Sequence, residues 1–130
     1  MNKENLQQEL INYVNSNTLV EIKGGTSRVT FLEIWMVSVG HRIFARSWGM
    51  SNKSWFTEFI AQGVGQLKLG EHVIDVRGQQ LKDDEMNSLI DHAYQDKYIQ
   101  KENEPYVNEI TELKYHNFTM EFFPVFIEVQ

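Results

Sequence analysis

Residues 28–48, RVTFLEIWMVSVGHRIFARSW, decide how the rest of the chain is read. Successive side chains of an extended chain point to opposite faces. Val29, Phe31, Trp35, Val37 and Val39 therefore share one face, and Leu32, Ile34 and Met36 share the other. Both faces are apolar, and such a strand has to be covered on both sides. The expectation is a long central strand with one face on a sheet interior and the other under a helix or a second subunit. Gly40 and His41 interrupt the pattern. Residues 42–48 resume it, with Ile43, Ala45 and Ser47 alternating against Arg42, Phe44, Arg46 and Trp48, which predicts a β-hairpin with two arginines on one face.

On the N-terminal side, Leu6, Leu10, Ile11 and Val14 recur at helical spacing and predict a surface helix ending near Ser16 and Asn17. Residues 19–23 alternate as a first strand, and Gly24-Gly25-Thr26-Ser27 turns into the central one. On the C-terminal side, Ser54 is suited to cap a short helix that has Trp55, Phe56, Phe59 and Ile60 on one side and ends at Gly63. Leu67 and Leu69, then Val73, Ile74 and Val76, flank Gly70-Glu71, a pair suited to a two-residue hairpin turn. Asp83, Asp84 and Glu85 favour a helix N-terminus, followed by Met86, Leu89, Ile90, Ala93, Tyr94 and Lys97 at helical period. Pro105 opens a further helix with Val107, Ile110 and Leu113 inward. Residues 118–129 form a last strand, which Pro124 should confine to an edge or a bulge because it cannot donate to a ladder. Antiparallel hairpins with helices packed outside give an α+β fold, and six strands can close into a small barrel.

The 130 residues suit one domain, of a size where a dimer interface often helps. A net charge of −6 argues against a broad nucleic-acid surface, so any bound anion needs a local cationic cluster. There is no cysteine for a disulfide, a thiolate metal site or a thiol nucleophile. The N-terminus is too polar for a signal peptide and no apolar run approaches membrane-spanning length, which predicts a cytoplasmic protein without membrane contact. His41, His72, His92 and His116 show no ligand-like spacing, so no metal site is expected. His72 and Asp75, three apart on a strand, project to opposite faces and do not form a dyad. The informative charges are the scarce ones: Arg28, Arg42, Arg46 and Lys53 fall within about one hairpin of each other. Ser27, Ser47, Ser51, Asn52 and the Gly24-Gly25 amides add neutral donors of the kind a phosphate needs. Trp35, Trp48, Trp55 and Phe56 can wall in a flat ring. The plainer alternative is a solvated strand face with extended arginines beside ordinary core aromatics.

The order of these pieces resembles the split β-barrel flavin-binding proteins, in particular the deazaflavin-dependent nitroreductase branch and small bacterial relatives of it. The matching pieces are Gly24-Gly25-Thr26-Ser27-Arg28, Ile43-Phe44-Ala45-Arg46-Ser47, Gly49, Trp55, and Phe59 through Gly63. Ser51-Asn52-Lys53 is similar to the Ser-x-Lys of the pyridoxamine-phosphate oxidase branch. The likeness runs from Leu19 to Tyr98. Gly25 stands where that branch has an arginine, Gly49-Met50-Ser51 replaces a Gly-Gly pair, and Arg46 is an extra base at an alanine position. The resemblance implies a six-stranded antiparallel split barrel with flanking helices. It also implies a flavin mononucleotide (FMN) or deazaflavin cofactor held by Arg28, Arg46, Ser47, Lys53 and Trp55, and oxidoreductase chemistry belonging to that cofactor. A non-catalytic module for a flavin, haem or other planar ligand, and a ligand-free dimeric scaffold, are the alternatives. Split-barrel relatives are commonly two-fold dimers. A symmetric homodimer burying part of Leu32, Ile34, Met36 and Trp48 is therefore expected, with each ligand groove bordered by both chains.

Overall fold

A computed structural model describes residues 3–48 and 54–125. Seven strands form one antiparallel sheet in the order β2-β1-β5-β6-β7-β4-β3: β1 (Val20–Gly24), β2 (Leu32–Ile34), β3 (Val37–Val39), β4 (Arg42–Arg46), β5 (Val64–Leu69), β6 (His72–Gln80) and β7 (Thr119–Pro124). Four α-helices accompany them: α1 (Lys3–Ser16), α2 (Trp55–Gln62), α3 (Asp84–Lys97) and α4 (Glu104–Ile110). Among the described residues no helix is long and apolar enough to cross a membrane.

The expected central strand is present but divided. Its N-terminal half, β2, pairs with β1 (Val20 opposite Ile34), and its C-terminal half, β3, pairs with β4 (Val37 opposite Phe44). The ladder changes partner at Trp35 and Met36, which raises the strand count from the expected six to seven. That step shapes the sheet. In a flat sheet of this order the two rims would lie about 29 Å apart, at roughly 4.8 Å per strand. Here the rims are β2 and β3, and only Trp35 and Met36 separate them along the chain, a span of about 10 Å. The sheet has to curl into a half-barrel.

Alternation continues through the step, so the two apolar faces enter different cores. Ile34 and Met36 join Val20, Ile22, Leu67, Val76, Met120 and Phe122 inside the curl, closed off by α1 and α2. Trp35, Val37 and Val39 lie on the outside with Phe44, under Ile90 and Tyr94 of α3 and Val107 and Ile110 of α4. The covering of the second face is thus a helix of the same chain. Ile34 and Met36 are buried without a partner subunit, whereas Leu32 (57% exposed) and Trp48 (36%) stay open to solvent.

The step also leaves main-chain groups of Met36 without a strand partner, and the end of α3 supplies them. Met36 N–H donates to Tyr98 Oη (3.2 Å), Tyr98 Oη donates to Thr18 O (2.6 Å), and Lys97 Nζ donates to Met36 O (2.5 Å) and to Val14 O at the end of α1 (2.7 Å). Trp35 stacks on Tyr98 with ring centroids 4.0 Å apart.

Other expectations need correction. β7 lies between β6 and β4, not at an edge. Pro124 is tolerated because it is the last residue of the strand, beyond the final β4 pairing at Phe122, and Val125 N–H resumes bonding to Asp75 O. Residues 126–129 of the expected last strand lie outside the described residues. Ile60 is half exposed and Leu113 almost wholly so. Ser54 caps α2 and Asp83 caps α3 through their side chains, as their positions predicted.

Candidate functional site

Of the five residues expected to hold a cofactor, the four that are described, Arg28, Arg46, Ser47 and Trp55, do not form one cluster. Arg46 ends β4 on the outer side of the sheet and is 1% exposed. Its Nε donates to Thr119 Oγ1 (2.9 Å), Nη1 to Ile110 O (3.0 Å) and to the Asp91 carboxylate, and Nη2 to Asn87 O and Oδ1 (both 3.0 Å). Every guanidinium N–H is spent inside the protein, and none remains for an external anion. His116 Nε2 shares the Asp91 carboxylate (3.1 Å to Oδ2), and Arg46 N–H donates to Tyr94 Oη (3.0 Å). Burial pushes the Tyr94 hydroxyl up to about 12. Arg46 is therefore the hub that ties β4 to α3, α4 and β7, and its expected cofactor contact is replaced by this internal network.

Ser47 follows Arg46 and is buried, its N–H donating to Phe118 O (3.1 Å). Trp55 starts α2 in the inner core against Phe59 and Phe122, with no open face for a stacked ring. Lys53 lies outside the described residues, as do Ser51 and Asn52. Among the described ones, Arg28 lines an open cavity.

That cavity, of about 400 Å³, is a cleft where the 24–28 turn meets the outer face of β1, β5 and β6. Lys23, Gln66 and Asp75 form one row across the three strands, since Lys23 pairs with Gln66 and Gln66 with Asp75. Gln66 Nε2 donates to Asp75 Oδ1 (3.0 Å). Gly25, Thr26 and Arg28 line it from the turn. Lys23 and Arg28 against Asp75 leave the cleft cationic in a chain of net charge −6. The Lys23 ammonium also stands over the Phe31 ring, 4.5 Å from its centroid.

The glycines of the turn have a structural role that the sequence did not disclose. A Cβ on Gly24 would sit 2.4 Å from Trp55 O, and Gly25, at φ +74°, has its N–H bonded to Val64 O (2.8 Å). They let α2 pack onto β1. The Gly25 amide is consequently not a free phosphate donor, and the donors the cleft offers are side chains.

A family model described as "Uncharacterized protein conserved in bacteria (DUF2255)" matches residues 14–122. The chain belongs to the DUF2255 family. The match runs from before β1 into β7 and includes Lys23 and Arg28 of the cleft, the Arg46 hub and the divided strand. A solved structure similar to this DUF2255 chain is that of the conserved hypothetical protein Rv2991 from Mycobacterium tuberculosis, with a TM-score of 0.55 over 99% of this chain and 82% of that one. Identity is 11%, so the likeness is one of fold. No curated protein matches in sequence.

Proposed function

We propose that this DUF2255 protein is a split-barrel ligand-binding protein that anchors a phosphorylated flavin or deazaflavin in the cleft of the 24–28 turn and serves as an oxidoreductase. The observation that carries the reading is that Lys23 and Arg28 line one cleft and supply two cations there, while the Thr26 hydroxyl beside them donates to Gln62 Oε1 (3.1 Å). Charge-assisted bonds from such groups are the strong contacts to phosphate oxygens. The residues present fit the phosphate end of the cofactor. The cleft volume lies at the small end of ordinary ligand sites, about 300 to 1,000 Å³, and suits that end better than a whole flavin. The hydride chemistry would belong to the cofactor, with Arg28 and Lys23 binding and orienting it.

Fluorescence titration of the purified protein with FMN and with riboflavin tests the reading. Quenching that saturates with FMN and is much weaker with riboflavin is expected, because only FMN carries the phosphate. No change with either at high micromolar concentration contradicts it.

A ligand-free homodimeric scaffold is the second reading, favoured by the internal use of Arg46 and by the exposed Val29 and Leu32 beside β2, which is a rim strand among the described residues. Sedimentation at micromolar concentration tests it, a monomer being the result that removes it.

A further inference from the structure

β3 is a rim strand among the described residues, and its open edge carries main-chain groups that the sheet does not use. The turn Gly40-His41 joins β3 to β4, so Val39 exchanges main-chain bonds with Arg42, and Val37 does the same with Phe44. Main-chain groups alternate along a strand, and those of Met36 and Ser38 therefore point away from β4. At Met36 the end of α3 takes both: Tyr98 Oη accepts from the N–H and Lys97 Nζ donates to the carbonyl. At Ser38, two residues further along the edge, the N–H and the carbonyl have no hydrogen-bond partner among the described residues.

This edge is the floor of a groove of about 520 Å³. Asn15 of α1 stands on one side, its Oδ1 accepting from the Ser38 hydroxyl (2.7 Å), and Leu89 and Ala93 of α3 stand on the other beside Val37. Lys97 borders the groove at its Met36 end. Its ammonium donates to Met36 O and Val14 O, which places two of its three N–H groups. Among the described residues no carboxylate lies within ion-pair distance of Nζ. A cation drawn out of water calls for a counter-ion, and this one has none from its own chain. The titratable groups around it are His92 and Asp96, both exposed on the α3 rim, and Tyr98, whose ring centroid lies 5.1 Å from Nζ.

We propose that this groove captures the carboxyl terminus of a partner polypeptide, which adds to β3 as an antiparallel strand and ends on the Lys97 ammonium. The direction follows from the two fixed points. An antiparallel strand whose penultimate residue exchanges both main-chain bonds with Ser38 runs toward Met36, and its terminal carboxylate arrives beside the ammonium that holds Met36 O. There it takes the remaining N–H in a charge-assisted bond. Directly opposed residues of a sheet present their side chains to the same face. The last residue, opposite Val37, therefore meets Val37 and Ala93 and should be apolar, and the one before it meets Ser38 and Asn15 and should be small and polar. The inference is independent of the cleft on β1, β5 and β6.

Fluorescence polarisation of the intact protein with a fluorescein-labelled peptide ending in serine-valine tests it. Saturable binding is expected, weakened about tenfold or more when the terminal carboxylate is replaced by a carboxamide, the effect of one lost charge-assisted bond. Methylating the amide nitrogen of the peptide's serine, the donor to Ser38 O, should abolish binding. Lys97→Met should bring the acid peptide down to the level of the amide and leave the amide unchanged. Absence of saturable binding, equal binding of acid and amide, or an N-methylated peptide that binds as well would overturn the proposal. So would competition by butyrate as strong as that by the unlabelled peptide, which would mark a site for simple carboxylates. The comparison of acid with amide uses the wild-type chain, so it decides the matter even if Lys97→Met misfolds.

Discussion

Arg46 and Lys97 are both cations drawn into the interior, and they are held in opposite ways. Arg46 has a carboxylate and a full set of acceptors, so removing it takes the donor from Asn87, Ile110 O and Thr119 Oγ1 together and leaves Asp91 with His116. Arg46→Met should destabilise the fold by about 3 to 5 kcal/mol, as breaking a buried pair from one side does. A chemical-denaturation midpoint unchanged from wild type would show that the hub is dispensable. The sequence displayed Arg46 as an extra base on a hairpin. It could not reveal that Asn87, Asp91 and Thr119, about 40 to 70 positions later, consume it, because such a network follows from helix docking. Lys97, by contrast, is held by carbonyls in a desolvated position and is pulled to about 8. Between pH 8 and the usual 10.5 the unfolded chain then binds more protons than the folded one, so stability rises with pH across that window. Tyr94, pushed up to about 12, acts oppositely above pH 10, where the unfolded tyrosine loses a proton that the folded one keeps. Melting temperature should therefore climb from pH 8 to about 10 and fall beyond, and Lys97→Met should abolish the climb. A wild-type profile flat from pH 8 to 10 would contradict the assignment.

At the scale of elements, two contacts decide how the half-barrel closes. α2 lies close on the sheet because its Phe59 ring rests over Gly65 and Gly78; a Cβ on Gly65 would come within 2.3 Å of Lys23 O and 2.4 Å of the ring. Gly65→Ala should cost about 1 to 3 kcal/mol through overpacking, measured by thermal melting, and an unchanged melting temperature would mean that α2 is free to shift. The second contact is Tyr98, whose hydroxyl joins Met36 N–H to Thr18 O where the ladder changes partner. Tyr98→Phe leaves both groups without that partner, at about 1 to 3 kcal/mol for each that stays dry. Loss of amide exchange protection should concentrate at Met36, and protection there equal to wild type would sink this role for Tyr98. Most elements were legible because their signals are local: the Ser54 and Asp83 caps, the helical period of α1 and α3, and the Gly70 turn. The division of the central strand was not. Trp35 and Met36 keep perfect alternation, and only the change of hydrogen-bond partner, set by the closure of the whole sheet, marks the step.

For the molecule as a whole, the bases that the sequence places within one hairpin are not held together among the described residues. Residues close along a hairpin are divided by the sheet: Arg46 faces α3 and α4, Trp55 enters the inner core, and Arg28 comes to the outer cleft beside Lys23, a residue outside the expected site. Lys23 could have been found from its place in the β1 alternation, had the row it shares with Gln66 and Asp75 been known. The central claim is that Lys23 and Arg28 hold a phosphate. Isothermal titration of FMN and riboflavin with wild type and Arg28→Met tests it most directly, since any general damage weakens both ligands alike. The account predicts that Arg28→Met weakens FMN by about 1.5 to 3 kcal/mol, the range for a hydrogen bond to a charged group, and leaves riboflavin nearly unchanged. An equal loss for the two ligands, or FMN binding unaltered by the substitution, would contradict it.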